Sequence, residues 1–449
     1  MREEWSPEGR KATLGAFLGL TIDFYDIYLP VVALTPAIAL FIPTGLPPTT
    51  KVTISFMVLA VTFLGRPVGA FIFGHLGDVL GRKRTTMIAV AGFGVMTGLI
   101  GVLPGYASWG MAAPVLLLAL RFVGGIFMGG EYTSANPLAL ETAPKRLRGL
   151  IGGVIQSAYP VGYIAVSATV AIILTMLPSD TLESPYVQYG WRIPFFVGAG
   201  LAFLFLFYYW FVAESEIWKS TRSKEPVNAP LRELFSGQNF RNLSQVFLLM
   251  LGLWLGVQTA ISLPPTLMQT YFKLPAGPVT DGFLVGYAFL FFGFIAMALL
   301  GQAFGRRRML ILSGVWTFSV GTVCYWLMLE NIRAGGAFAA TVALLTITLL
   351  LTVAPWGIVT TYISERFQTG IRSSGYGIGY SLAVIPTAFS SFYLSGLSHF
   401  MPYYLGPLVL MVLAGVLVVV GAWIGPETRD VDMATMTLVP EPERGTSAV

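Results

Sequence analysis

The sequence predicts an all-α polytopic membrane protein, with twelve transmembrane helices arranged as two six-helix repeats. Three observations lead to this fold class: the composition, a series of twelve apolar runs, and a repeat between the two halves of the chain. Hydrophobic residues make up 55% of the 449 residues and charged residues only 11%. A soluble globular protein carries about 25% charged residues, because its surface faces water. Most of this chain must therefore face lipid.

Twelve apolar runs are each long enough to cross the hydrocarbon core of a bilayer, which takes about 20 mostly apolar residues. The predicted spans lie near residues 13–41, 52–76, 86–105, 111–139, 149–177, 192–212, 243–272, 281–304, 308–328, 336–363, 373–396 and 402–424. A polar stretch separates the sixth run from the seventh. We therefore predict an N-terminal six-helix bundle at 1–213, a cytoplasmic linker at 214–242, a C-terminal six-helix bundle at 243–429 and a cytoplasmic tail at 430–449.

The lysines and arginines predict the orientation in the membrane. Of the 27 basic residues, 21, including Arg2 and Arg444, fall in the two termini, the linker and the loops on the same side. Cytoplasmic loops carry such an excess of basic residues, so both termini and the linker are expected in the cytoplasm, with the protein in the inner or plasma membrane. The dispersal of these residues in short clusters argues for the lipid bilayer and against nucleic acid as a partner.

No sequence feature points to catalysis, a metal or a cofactor. The single cysteine, Cys324, lies in an apolar run, and neither histidine has the spacing of a metal ligand. The chain has no nucleophile elbow and no phosphate-binding loop. Both an enzyme and an ATP-driven pump are therefore disfavoured.

The two halves of the chain repeat at a constant offset. GHLGDVLGRKR at 74–84 recurs as the shortened GQAFGRRR at 301–308, and the Glu and Arg of ETAPKRLRG recur in ERFQTGIRS. Each matched pair is separated by 224 positions; the pairs are Arg82 with Arg306, Glu141 with Glu365, and Arg148 with Arg372. This regularity predicts parallel repeats related by an axis along the membrane normal.

GHLGDVLGRKR resembles the loop 2–3 signature of the major facilitator superfamily. The resemblance implies that the acid, Asp78, contacts a helix N-terminus of the opposite half, and that the loop is a cytoplasmic latch. The second copy has Ala303 and Phe304 in the region of this acid. ETAPKRLRG, ESE at 214–216 and GPET at 425–428 resemble the acid–base network of sugar porters. Together these motifs imply six gating residues: Asp78, Arg82, Glu141, Arg148, Glu365 and Arg372.

Five segments resemble a narrower group, the metabolite:proton symporter family. They are DFYDIY at 23–28, GRPVGAFIFGHLGD at 65–78, RFVGGIFMGGEYTSA at 121–135, GGVIQSAYPVG at 152–162 and ISERFQTGIRSSGYGIGYSLA at 363–383. The resemblance implies transport of organic acids or zwitterionic osmolytes together with protons. Two positions depart from the family pattern, since Asp23 replaces a Glu and Gln368 replaces a Pro.

Away from the ends of the predicted spans, five acidic or basic residues remain, all in the first half: Asp23, Asp26, Arg66, Arg121 and Glu131. An ionised side chain at the bilayer centre costs about 2.5–3.5 kcal/mol or more, so it needs a partner or a wet cavity. Asp23 and Asp26 share a face of the first helix, and Arg121 lies at a similar depth in the fourth. We therefore expect an acid pair opposite an arginine.

The hypothesis is that Arg121 binds a substrate carboxylate and that Asp26, with Asp23 in reserve, takes the proton. The alternative is a permanent ion pair that joins the two helices. Arg66 is expected to be structural, either snorkelling or paired with an acid. Glu131 is either an exit station for the proton or an anchor for the following loop. Other candidate substrate contacts are Tyr25, Gln156, Tyr159, Trp254 and Gln258.

The sequence thus predicts a secondary active transporter that takes up small mono-, di- or tricarboxylic acids with protons by alternating access, functional as a monomer. Transport of zwitterionic osmolytes or amino acids is the alternative within this class. A non-transporting nutrient receptor on the same fold belongs to another class. Its signalling usually needs a long cytoplasmic tail, and here the predicted tail is short.

Overall fold

The computed structural model describes residues 5–43, 48–179, 181–224 and 229–434. Arg2, Arg444 and most of the predicted tail lie outside the described residues, as do residues 225–228 of the predicted linker. The side chains of Lys51 and Lys224 also lie outside them.

The first half of the chain forms six long helices. They are α1 (Pro7–Phe41), α2 (Pro48–Leu80), α3 (Arg82–Gly101), α4 (Ala112–Glu141), α5 (Lys145–Met176) and α6 (Tyr186–Tyr209). Two short helices follow, Glu216–Lys224 and Pro230–Leu234. They lie within the predicted linker.

The second half forms six further helices. They are α7 (Gly237–Gln269), α8 (Ala276–Phe304), α9 (Arg306–Arg333), α10 (Phe338–Ser364), α11 (Thr369–Leu397) and α12 (Tyr403–Trp423). Among the described residues, eleven of the twelve long helices meet a length and hydropathy criterion for crossing a membrane. The remaining one, α2, has 33 residues and at 1.5 Å per residue is also long enough. The predicted all-α fold class is confirmed.

Small residues let α2 and α4 pack closely in the first half. A β-carbon at Gly69 would overlap the backbone carbonyl oxygen of Ile126, and one at Gly125 would overlap that of Thr62. Helices in membranes associate through such close backbone approach, because lipid provides no hydrophobic driving force between them.

Two consecutive prolines lie inside α7 without ending the helix. Pro264 and Pro265 lie in a helical turn that is flanked by two wider π-helical turns, Gln258–Ser262 and Leu267–Tyr271. Widened turns of this kind let the helix continue even though proline has no backbone N–H to donate. The helix therefore continues to Gln269.

The repeat predicted from the sequence is also visible in the backbone. Gly81 and Gly305, 224 positions apart, have φ angles of 100° and 103°, a conformation that favours glycine. At each of these turns a glutamate accepts hydrogen bonds from the next two backbone N–H groups. Glu214 does so before α3 and Glu427 before α9. We call the face of the bundle that carries these two turns the basic face.

Candidate functional site: intramembrane ion pairs and the contacts between the halves

Asp23 and Arg66 form a buried ion pair between α1 and α2. Oδ2 of Asp23 lies 2.5 Å from Nη2 of Arg66, and both side chains are fully buried. The guanidinium carbon lies 4.8 Å from the ring centre of Tyr132, a favourable cation–π distance. Oδ1 of Asp23 and the Nε and Nη1 atoms of Arg66 have no hydrogen-bond partner among the described residues. Arg66 is therefore paired with an acid rather than snorkelling, and the pair keeps open hydrogen-bonding positions.

Asp26 and Arg121 form a second buried ion pair, between α1 and α4. Nη1 of Arg121 lies 2.8 Å from Oδ2 of Asp26 and also donates to its backbone carbonyl. The hydroxyl of Thr97 donates to Oδ1 of Asp26 at 2.5 Å. The guanidinium carbon of Arg121 lies 5.2 Å from the ring centre of Phe195. These partners belong to α1, α3 and α6, so this pair is enclosed within the first half.

The two acids of α1 thus have separate arginines, which corrects one expectation. Asp23 is not a second partner for Arg121, because Arg66 already neutralises it. The expected acid opposite Arg121 is present, but it is Asp26 alone.

Glu131 is fully buried in α4, and neither of its carboxyl oxygens has a hydrogen-bond partner among the described residues. A β-carbon at Gly19 would overlap Oε1 of Glu131, so the carboxyl group lies against α1. Gly19 precedes Asp23 by four residues, one helical turn nearer the basic face. The contact with α1 disagrees with the idea that Glu131 anchors the loop after α4. Buried polar groups without a hydrogen-bond partner are rare in native structures.

Aromatic side chains connect the Asp23–Arg66 pair to the second half. The ring of Tyr132 packs against Tyr380 of α11, with 4.9 Å between centroids. Tyr380 in turn contacts Trp356 of α10 and Trp254 of α7. Trp254 also contacts Phe63 of α2, at 6.2 Å. Of the two arginines that form ion pairs with α1, Arg66 is therefore the one that lies next to the contact between the halves.

A chain of buried hydrogen bonds joins four helices from both halves. The Asn136 side chain of α4 donates to the hydroxyl of Tyr376 in α11 at 2.8 Å. The Tyr376 hydroxyl donates to Thr360 of α10 at 3.3 Å. The Thr360 hydroxyl donates to Gln156 of α5 at 3.1 Å. The predicted contact residue Gln156 thus lies at the contact between the halves.

Tyr159 of α5 also bridges the two halves. Its hydroxyl lies 2.9 Å from that of Tyr28 in α1 and 3.3 Å from that of Tyr287 in α8. The three hydroxyls form a continuous polar row that runs from α1 through α5 to α8.

Two other predicted substrate contacts bond within one half. Tyr25 is buried in the first half, where its hydroxyl donates to the carbonyl of Pro194 at 3.1 Å. Gln258 of α7 is half-buried; it donates to the carbonyl of Thr387 at 3.3 Å and accepts from Ser262 at 2.6 Å.

The basic face is closed by ion pairs between the halves. Oε1 of Glu141 in the first half lies 2.6 Å from Nη1 of Arg372 in the second half and 3.2 Å from Nη2 of Arg82. Arg82 also donates to the carbonyl of Thr369 at 2.6 Å. All three charged side chains are fully buried.

Asp78 makes the contact that the loop motif implied. Its two carboxylate oxygens each accept a backbone N–H, from Ser373 and Ser374, at 2.9 Å. These residues lie in the first turn of the helix Arg372–Ser381 in the opposite half. An acid is favourable there, because the free N–H groups carry partial positive charge.

The second copy of the network is built differently. Arg306 lies 3.0 Å from Glu365 in the same half, and the hydroxyl of Thr428 donates a hydrogen bond to Glu365 at 2.7 Å. Burial raises the pKa of Glu365 to about 7, although the Arg306 guanidinium acts to lower it. Glu365 lies just beyond the end of α10.

The chain after α12 crosses the basic face and contacts both halves. We call residues 430–434 the C-terminal strap. Lys145 and Arg148 of the first half donate to the carbonyls of Asp430 and Val431. Arg372 of the second half donates to the carbonyl of Met433 at 3.1 Å, and the Met433 side chain is fully buried.

This architecture defines the class of polytopic carriers built from two parallel six-helix repeats. The family model described as Major Facilitator Superfamily matches residues 16–391, and the chain belongs to that superfamily. Its similarity to the solved structure of the proton:xylose symporter XylE bound to 6-bromo-6-deoxy-D-glucose has a TM-score of 0.75 at 19% identity, covering 95% of this chain and 97% of that one.

Relatives in Escherichia coli K12 are transport proteins. The inner membrane metabolite transport protein YhjE is 30% identical over 85% of this chain and 87% of its own length. The shikimate transporter is 39% identical over 41% of this chain and 42% of its own length. The proline/betaine transporter is 27% identical over 92% of this chain and 82% of its own length. The protein is therefore a multi-pass secondary transporter of metabolites and not an enzyme.

The sequence does not connect Arg66 with Tyr132. Arg66 precedes Pro67 near the end of a predicted span, a position that favours the structural interpretation given above. Tyr132 stands directly after Glu131 in GGEYTSA, and nothing in its spacing shows that it faces Arg66. Only the packing of α2 against α4 brings them together.

Proposed function

We propose that this protein is a proton-coupled symporter that takes up small organic carboxylates by alternating access. The observation that carries the proposal is the Asp23–Arg66 pair, which is fully buried, lies next to the contact between the halves, and retains open hydrogen-bonding atoms on both partners. The relatives named above as metabolite and shikimate transporters support a small metabolite as the cargo.

In this proposal the substrate carboxylate binds Arg66 and competes with Asp23 for it. Guanidinium groups bind carboxylates through charge-assisted hydrogen bonds. Once Arg66 is occupied by substrate, the negative charge of Asp23 loses its compensation, and Asp23 takes up a proton. Glu131, one turn nearer the basic face, is placed to receive that proton on its way out.

The sequence predicts these two roles for Arg121 and Asp26, which could bind a substrate carboxylate and a proton by the same chemistry. Their enclosure by first-half side chains favours Arg66 for the substrate. We assign the Asp26–Arg121 pair the task of holding α1 against α4, where the loss of one partner leaves an uncompensated buried charge.

The basic face is the cytoplasmic face in this proposal, following the excess of basic residues there. The pairs of Asp78, Arg82, Glu141 and Arg372 then form the cytoplasmic gate, which opens when the solute is released. Arg148, which binds the C-terminal strap, and Glu365, which pairs with Arg306, complete the gate.

The aromatic side chains support a second candidate, transport of zwitterionic osmolytes. Trp254, Trp356 and Tyr380 contact each other close to Tyr132 and Arg66. Aromatic faces bind quaternary ammonium groups through cation–π attraction, and a proline/betaine transporter is among the relatives.

Uptake into proteoliposomes tests both candidates. An inwardly directed proton gradient should accelerate the accumulation of shikimate at least tenfold and leave glycine betaine near background. A reversed preference would favour the second candidate. Absence of uptake for a broad panel of carboxylates and betaines, despite ligand binding, would point to a receptor instead.

Two matched variants test the assignment of the arginines. Arg66→Lys should raise KM for the carboxylate at least tenfold, since a lysine keeps the charge but not the planar donor geometry. Arg121→Lys should lower the yield of folded protein with little change in KM. The opposite pattern would show that Arg121, and not Arg66, binds the substrate.

A further inference from the structure

Charge balance at the Asp23–Arg66 pair limits the net charge of the solutes that the site can bind. This inference rests on the proposed function. We propose that the site takes solutes with a single net negative charge, each with one proton, so that the empty and the loaded carrier both hold no net charge at this site. Solute and proton then cross together without moving net charge.

The first step is the number of cations available to the substrate. In the described second-half helices, acidic and basic side chains lie only near the helix ends. Among the described residues deep in the first half, the cations are Arg66 and Arg121, and Arg121 is held by Asp26 away from the second half. Of these two deep guanidinium groups, only that of Arg66 therefore faces the contact between the halves. It can neutralise one carboxylate.

The second step compares the two states of the carrier. In the empty state Asp23 neutralises Arg66. If a monocarboxylate binds Arg66 while Asp23 stays ionised, two anions share one cation in a medium where uncompensated charge is costly. A proton on Asp23 removes this excess, and Oδ1 has no hydrogen-bond partner among the described residues that would block it. The proton comes from the outer solution and leaves to the cytoplasm as Arg66 pairs with Asp23 again.

The third step concerns the other groups around Asp23. Asp26 on the same helix is compensated by Arg121, and Tyr132 and Tyr380 are phenols close to Arg66. Glu131 from α4 forms no hydrogen bond with Asp23 or Arg66 in the described structure. Substrate replaces none of their contacts, so their contribution to the net charge of the site is the same in the empty and loaded states. The difference between the states is one carboxylate and one proton.

This balance discriminates among solute classes. A dianion would leave one negative charge without a partner in the described helices. A zwitterion would satisfy Arg66 with its carboxylate and Asp23 with its cationic group, so it would need no proton. Only a monoanion together with one proton leaves the loaded site without net charge.

Imposed gradients in proteoliposomes test the inference, with shikimate, lactate and benzoate as monocarboxylates and succinate as a dicarboxylate. A pH gradient should drive monocarboxylate accumulation, and a potassium–valinomycin potential of 100 mV should change it less than twofold. Movement of one net charge would change the accumulation ratio roughly fifty-fold. Accumulation that follows the potential, or equal uptake of succinate as its dianion, would overturn this inference alone. Failure of every carboxylate would overturn the proposed function as well.

Two variants with the same chemical change locate the proton. Asp23→Asn keeps the loaded site neutral but leaves Arg66 uncompensated when empty, so monocarboxylate exchange should persist while gradient-driven uptake falls at least tenfold. Asp26→Asn leaves Arg121 uncompensated in both states, so exchange and uptake should fall together. If Asp26→Asn separates the two activities and Asp23→Asn does not, the proton belongs to Asp26 and the inference fails.

Discussion

The Oε1 atom of Glu141 in the first half lies 2.6 Å from Nη1 of Arg372 in the second half. The same oxygen lies 3.2 Å from Nη2 of Arg82 in its own half. One buried carboxylate thus bridges arginines from both repeats. Breaking a buried pair by removing one partner costs about 3–5 kcal/mol, because a charge is left uncompensated. A contact of this strength at the basic face biases the equilibrium between closed and open states.

Glu141→Gln is therefore expected to open the basic face. A cysteine placed at Ser134, which is buried beside Gly77 between the halves, reports this opening through maleimide labelling in a Cys324→Ser background. We expect labelling to rise severalfold. Glu216→Gln is the matched control, because Glu216 forms an exposed pair with Lys219 that contributes little. Equal labelling in both variants would show that Glu141 does not hold the face closed.

Gly69→Ala is expected to destabilise the first half. Its new β-carbon would overlap the carbonyl oxygen of Ile126, and backbone atoms cannot move aside as a side chain does. Overpacking of this kind costs about 1–3 kcal/mol. Thermal unfolding in detergent should show a lower midpoint. Gly200→Ala is the control, since no atom lies within 4 Å of its β-carbon position; equal midpoints for the two variants would contradict the close packing of α2 and α4.

The raised pKa of Glu365 predicts a pH dependence of stability. Because burial raises its pKa to about 7, the folded protein holds a proton that the unfolded chain releases above its ordinary value of about 4.3. The contribution is fully present below that ordinary value and is lost as the pH rises through 7. The free energy of unfolding should therefore fall between pH 5 and pH 8, by an amount on the order of 1 kcal/mol or more. Glu365→Gln should flatten this part of the profile, and an unchanged slope would assign the pH dependence to another group.

The C-terminal strap is expected to stabilise the closed basic face. A chain that stops after Arg429 loses the carbonyls that bind Arg148 and Arg372, together with the buried Met433 side chain. A chain that stops after Ala434 keeps all of these contacts. The first truncation should increase labelling at the Ser134 position severalfold, and the second should leave it as in the full chain. Equal labelling of both truncated chains would contradict a role for the strap.

Periodicity and charge in the sequence were enough to predict the helices and the repeat. The 224-residue offset places Arg82 and Arg306 at equivalent turns, and the structure shows the same left-handed glycine before each of them. The contact of Asp78 with a helix N-terminus of the other half was implied by the family that its loop motif resembles. The pairing of the intramembrane acids did not follow in the same way. Helical spacing puts Asp23 and Asp26 on one face, but it does not say which neighbouring helix each of them meets.

The sequence by itself determined that this is a twelve-helix membrane protein in two repeats, because lipid solvation requires apolar runs of fixed length and leaves charges only where they are needed. It also determined that the interior charges lie in the first half. Only the tertiary structure decided that Asp23 meets Arg66, that Asp26 meets Arg121, and that Arg66 is the one beside the aromatic side chains of the second half. The physical reason is that an ion pair depends on the rotation and separation of packed helices. Those follow from small residues such as Gly69 and Gly125, whose effect appears only when both helices are present.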